Sequence, residues 1–221
     1  MSADPRALTL AQLVARARNL ADTGPRRLLG IAGAPGAGKS TLAASLVAEL
    51  GPTAALVPMD GFHLAEVELR RLGRRDRKGA PDTFDAAGYV ALLHRLRNPG
   101  PLPVYAPEFH RDIEEPVAGA IPVPPDVRLV VTEGNYLLMP EHPWGELRDL
   151  FDEVWYLDLD QRERLRRLTD RHIAYGRDPV EAAARARGTD QVNAELIAAT
   201  AGRADLMVRL SASDHRCDHS R

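Results

Sequence analysis

The chain predicts an α/β fold: a parallel sheet between two helical layers, α/β/α, with a small lid. Three observations carry that prediction. Short apolar runs recur at wide intervals (Leu28–Ala32, Ala54–Met59, Asp126–Thr132, Glu153–Asp158 and Ala204–Leu210) and read as buried strands. Segments of helical periodicity stand between them, the spacing of parallel strands joined by crossover helices. The first run leads directly into Gly33-Ala34-Pro35-Gly36-Ala37-Gly38-Lys39-Ser40-Thr41, and Leu42, Leu46, Val47 and Leu50 follow at helical spacing.

That nine-residue stretch fits G-x-x-x-x-G-K-[ST], the P-loop pattern, and strand, glycine loop and helix supply the context the pattern needs. Backbone N–H groups and a helix N-terminus then surround a polyphosphate, so residues 33–41 are the nucleotide-binding candidates of a P-loop NTPase. Lys39 would reach the β- and γ-phosphates, and the Ser40 hydroxyl would ligate Mg²⁺. Lys39 and Lys78 are the only lysines in a chain otherwise basic through arginine. A compact ammonium thus stands where phosphate chemistry wants a point charge.

With 221 residues the chain holds one α/β domain with a sizeable core. A formal net charge of −2 argues against nucleic acid and membrane surfaces as partners. One cysteine, Cys217, gives no disulfide framework. No run approaches membrane-spanning length, and the N-terminus lacks the apolar core of a signal peptide. The expectation is a soluble cytoplasmic protein.

Taken in order, residues 1–24 are expected to form an N-terminal helix, with Leu8, Leu10, Leu13, Val14, Ala17 and Leu20 on one face. The domain proper is expected over 25–211. After the loop helix, the second strand ends in Asp60-Gly61. Open parallel sheets bind ligands at the carboxyl ends of their strands, so Asp60 falls beside the loop mouth. A carboxylate there can take a proton from an attacking hydroxyl, although Asp-Gly is also an ordinary turn. The basic stretch Leu64 to Lys78 is either a solvated face or part of a flap, about 62–85, that brings charge to phosphates. A helix follows over 86–97. The proline-rich residues 99–125 read as an excursion, a β-hairpin or long loop, carrying His110 and Arg111 toward a substrate.

The strand over 126–132 ends in Glu133, the acidic element expected to organise Mg²⁺ with Ser40, and Asn135 shares its rim. Asp160 caps a helix running to about Tyr175, with Leu165, Leu168 and Ile173 inward. Its arginines (Arg162, Arg164, Arg166, Arg167 and Arg171) suit a lid over about 160–180, though five cannot all face one ligand. A last helix or pair of helices and a final strand follow. Residues 212–221 lack an apolar pattern and read as a disordered tail; His215, Cys217 and His219 lack metal-ligand spacing.

Neither lysine lies in an Asn-Lys-x-Asp guanine motif, and no Leu-Ser-Gly-Gly-Gln-like stretch marks a transporter ATPase. The layout is that of a small kinase. Pro58-Met-Asp-Gly-Phe-His63, Arg77-Lys-Gly-Ala-Pro-Asp-Thr-Phe-Asp85, Tyr105-Ala-Pro-Glu-Phe-His-Arg111 and Thr132-Glu-Gly-Asn-Tyr-Leu-Leu138 occur in order after the loop. Together they resemble the phosphoribulokinase/uridine kinase family, in particular its pantothenate kinase-like and fructose transport system kinase-like members. The resemblance implies a five-stranded parallel sheet, ATP with Mg²⁺, and phosphorylation of a hydroxyl on a sugar, nucleoside or pantothenate-like molecule. It implies Asp60 as catalytic base, Glu133 on the Mg²⁺ side, and Arg167 or Arg171 at the lid position. His63, Tyr105, His110, Arg111, Asn135 and Asn193 are implied on the substrate side, with Asp60. Phe84 stands where the family often has Tyr, and Glu-Gly-Asn-Tyr-Leu-Leu favours the sugar-kinase-like branch. A homodimer is the assembly many such proteins adopt. The competing readings are a nucleotide kinase of the same fold, and a non-metabolic ATPase switch or assembly factor.

Overall fold

The computed structural model describes residues 4–211 except 175 and 177. Its strands are β1 Arg6–Leu8, β2 Arg27–Ala32, β3 Ala54–Leu56, β4 Val104–His110, β5 Glu115–Val123, β6 Leu129–Gly134, β7 Glu153–Leu157 and β8 Leu206–Leu210. Its α-helices are α1 Leu10–Ala21, α2 Lys39–Leu50, α3 Glu66–Arg71, α4 Ala86–Arg97, α5 Leu147–Leu150, α6 Gln161–Ala174, α7 Pro179–Arg187 and α8 Thr189–Ala198. The expected tail over 212–221 and its histidines and cysteine lie outside the described residues, as do Tyr175 and Arg177 of the expected lid.

The main sheet runs β1-β8-β7-β2-β6-β3, with every pairing parallel. Central strands buried on both faces need apolar residues along most of their length, and β2, β6 and β7 supply them. One face packs α1 and α2 through Leu13, Ala17, Leu42 and Leu46 against Leu29, Ile31 and Trp155. The other carries α4, α5 and the end of α8, with Tyr89, Leu93, Leu147 and Ile197 among its buried groups. The result is three layers, α/β/α.

The sheet has six strands, not five. The extra strand is β1, whose Arg6 and Leu8 align with Val208 and Leu210. Leu8 therefore lies in an edge strand, not on the expected helical face. Thr9 sets the boundary: its side chain accepts from the Gln12 N–H, while Gln12 returns a bond to the Thr9 N–H. This reciprocal cap starts the helix at Leu10. The N-terminal segment is thus part of the sheet as well as of a helical layer. Only three residues long, β1 is too short to show a strand period.

The excursion is a two-stranded antiparallel hairpin, β4 with β5, whose register shifts between Ala106 and Glu108. Buried Arg26 fastens its base, donating to the carbonyls of Val127, Leu96 and Pro124. The basic stretch after Leu64 neutralises itself instead of staying open. Arg70 and Arg75 pair with Glu66, Arg71 with Glu68, and Arg74 and Arg77 with Asp82.

Leu46 is fully buried under α2, the helix that presents the loop. Leu46→Ala is expected to cost about 2–5 kcal/mol, read as a lower urea midpoint by tryptophan fluorescence. A loss under about 1 kcal/mol would show that this layer is not tightly packed.

Candidate active site

Three strand ends meet at the carboxyl edge of the sheet. β2 delivers the glycine loop and the first turn of α2; β6, its parallel neighbour, delivers Glu133; β3, beyond β6, delivers Asp60 on a single 3₁₀ turn, Met59–Phe62. Two glycines permit the close approaches this needs. A methyl at Gly134 would lie 2.6 Å from the Met59 Cβ and 2.7 Å from its Sδ. A methyl at Gly61 would lie 2.3 Å from the Pro107 carbonyl oxygen, so the hairpin too rests directly on the Asp60 turn. Each glycine immediately follows a carboxylate residue, which lets Glu133 and Asp60 face one cleft.

The Ser40 hydroxyl donates to Glu133 Oε1 at 2.9 Å. The Lys39 ammonium, 7% exposed, donates to Asn135 Oδ1 at 2.8 Å and to the Ala34 carbonyl at 3.1 Å. Burial lowers the Lys39 pKa below the usual lysine value, opposed by Glu133 and Asp60 and reinforced by Arg171. Burial raises the Glu133 pKa above the ordinary carboxylate range, and Asp60 adds to the rise against the pull of Lys39, Ser40 and Arg111. Arg111, on the hairpin turn, reaches to 3.6 Å from Asp60 Oδ2. Lys39, Ser40, Asp60, Arg111, Glu133 and Asn135 therefore share one site.

Helix α6 leans on the loop. Asp160 caps it through the N–H groups of Arg162 and Glu163. Arg167 Nη1 lies 3.6 Å from where a Gly38 methyl would stand, while its Nε donates to Glu163. Arg171 acts on Lys39 through its charge. Arg164 is buried instead, its guanidinium on the Pro35 carbonyl and Gln191, whereas Ile173, expected inward, is exposed. The i, i+4 pair Arg164 and Leu168 forms the inward stripe. That spacing was visible in the sequence, but an arginine is an unusual core choice.

His63 is packed between Phe84 at 4.0 Å and Phe109 at 4.7 Å, ring centre to ring centre, with Nδ1 on the Asp60 carbonyl. Burial lowers its pKa. It braces the turn. His110 Nε2 is buried without a hydrogen bond, 3.5 Å from Glu108 Oε2. Asn193 is buried on α8, one turn beyond Asp190, whose charge acts on Tyr136. Tyr105 is not brought into the cluster. Strand alternation puts neighbouring Ala106 in the core and leaves Tyr105 57% exposed.

Lys78, expected either on a solvated face or in a flap bringing charge to phosphates, is engaged within the protein instead. Its ammonium donates to the Glu114 carbonyl at 2.6 Å and lies 5.2 Å from the Phe109 ring centre, joining the basic stretch to the hairpin. The rarity of lysine was the available signal. Tyr136 also tethers that stretch, donating to the Gly79 carbonyl.

Among the described residues no group of three or more His, Cys, Asp or Glu forms a metal cage. A carboxyl group and a hydroxyl side by side at a phosphate loop are what magnesium uses, since it binds one or two carboxylates plus substrate phosphates. The residues present fit that ion.

No protein-family model matches the chain. A uridine kinase candidate from Schizosaccharomyces pombe is 35% identical over 174 residues, covering 75% of this chain and 74% of its own length. A pantothenate kinase from Clavibacter michiganensis subsp. michiganensis is 30% identical over 216 residues, covering 85% of this chain and 67% of its own. Among solved structures, a candidate fructose transport system kinase from Silicibacter sp. is 38% identical, with TM-score 0.83 over 91% of this chain and 99% of that one.

Because the surroundings of Glu133 favour its neutral form, Glu133→Gln is expected to raise the Tm of the nucleotide-free protein at neutral pH. A carboxyl with a raised pKa destabilises the fold once ionised, and that penalty is relieved as pH falls through the raised value. The Tm gap between variant and native protein should therefore narrow on acidification. A variant that melts lower than the native protein at neutral pH would contradict this electrostatic balance.

Proposed function

The chain belongs to the phosphoribulokinase/uridine kinase family of P-loop kinases, and on that footing we propose how its site works. The reaction is ATP-dependent transfer of the γ-phosphoryl group to a hydroxyl of a small molecule: a sugar, a nucleoside or a pantothenate-like alcohol. The observation that carries the reading is the convergence of Lys39, Ser40, Glu133 and Asp60 at the carboxyl ends of β2, β6 and β3.

The backbone N–H groups of the loop over residues 33–41, Pro35 aside, and the start of α2 bind the β- and γ-phosphates. Ser40 and Glu133 would hold Mg²⁺, which supplies positive charge against the phosphate oxygens. Asp60 orients the acceptor hydroxyl and takes its proton as the oxygen bonds to the γ-phosphorus. The bond from that phosphorus to the β–γ bridging oxygen breaks, and ADP leaves. Lys39, with Arg167 and Arg171 from the lid helix, offsets charge on the moving group. Arg111, beside Asp60, would serve the acceptor side, and on this reading His110 and Asn193 would line it as well. Closure of the segment over 62–85 and of α6 over the loop would exclude water.

Net charge near zero and a single cysteine support a cytoplasmic enzyme whose partner is a small molecule. Among the described residues no helix is long and apolar enough to cross a membrane.

Asp60→Asn removes the proton acceptor and keeps the shape. Turnover should fall by about 10²–10⁴-fold, with MgATP affinity within about threefold, measured by coupled ADP release and nucleotide titration. Near-native turnover would remove Asp60 from the mechanism.

A further inference from the structure

Lys39 and Ser40 are consecutive on the first turn of α2, and the end of β6 meets them with two residues spaced by one. Glu133 accepts from Ser40, and Asn135 accepts from Lys39 at 2.8 Å. An ammonium has no acceptor, so the amide oxygen of Asn135 faces it. We propose that Asn135 is a positioning residue for Lys39, holding its ammonium where the phosphates arrive, and not an acceptor contact as the family resemblance implies. Its effect on turnover rests on the kinase reading; the hold itself does not.

The chemistry of the group explains why an amide serves. Lysine's four-carbon stem is flexible, and fixing it costs rotamer entropy. Ala34 and Asn135 engage two of the three ammonium donors, and the third remains for phosphate. Glu133 and Asp60 already place two carboxylates in the field of Lys39. A third carboxylate at residue 135 would pair with the ammonium and compete with incoming phosphate. A neutral amide oxygen aims the ammonium through one ordinary hydrogen bond, which charged phosphate oxygens can outmatch.

The test uses the scarcity of lysine. Isotope labelling of lysine side chains gives two NMR signals, from Lys39 and Lys78. Lys78, against the Phe109 ring, reports whether the hairpin is intact. In Asn135→Ala the Lys39 signal should shift and broaden while that of Lys78 stays. MgATP turnover should fall by at least about tenfold, with MgADP affinity within about threefold. Asn135→Asp should restore a sharp Lys39 signal, displaced from its native position by the added charge, yet leave turnover low. If the Lys78 signal moves in the Ala variant, the Asp variant decides: a sharp Lys39 signal displaced from its native position with low turnover supports the proposal, and a native signal or native turnover overturns it.

The proposal is overturned if the Lys39 signal in Asn135→Ala matches the native one, whatever happens to turnover. A raised acceptor KM with that signal unmoved would return Asn135 to the acceptor. A moved signal with native turnover would overturn the positioning role. If the native protein releases no ADP with any acceptor, the kinase reading fails, and the Lys39 signal still decides whether Asn135 holds the ammonium.

Discussion

The register of β6 between β2 and β3 is the constraint on which the site depends. Ile31 lies beside Glu133 and Ala32 beside Gly134 on one side of the strand; Leu56 lies beside Val131 on the other. Those pairings bring the end of β6 level with the glycine loop and the Asp60 turn. Because side chains alternate along a strand, a slip of one residue would turn Glu133 from Ser40 into the opposite layer. The buried apolar residues on both faces of β6 hold that register, so packing of the core sets the geometry of the polar groups at its edge.

Those polar groups are costly to bury. Lys39 and Glu133 each resist their charged form because water is largely withheld. Each is steadied by neutral dipoles, Ser40 for the carboxyl, and Asn135 and the Ala34 carbonyl for the ammonium. Such an arrangement is preorganised for a ligand that brings its own charge. A polyphosphate meets the ammonium, and a divalent cation would meet the carboxylate.

Much of this was legible in sequence. The glycine loop named itself by spacing, the five apolar runs all became strands of the main sheet, and α4 spans the residues its leucines predicted. The sixth strand was hidden because three residues carry no period, and only the reciprocal cap of Thr9 and Gln12 separates it from α1. The proline-rich excursion left hairpin and loop equally open, since prolines break the alternation that identifies strands. At the site, the proximity of Asp60 and Glu133 followed from strand ends in a parallel sheet. The contacts of Asn135 with Lys39, Arg164 with the loop, and Lys78 with Phe109 join segments far apart in the chain. No local pattern encodes such pairings.

The most direct test of phosphoryl transfer at this site is coupled ADP release with MgATP across sugars, nucleosides, pantothenate and related alcohols. The geometry predicts that one acceptor class raises ADP release far above the rate with water alone. Tight nucleotide binding with a flat response across the whole panel would contradict it.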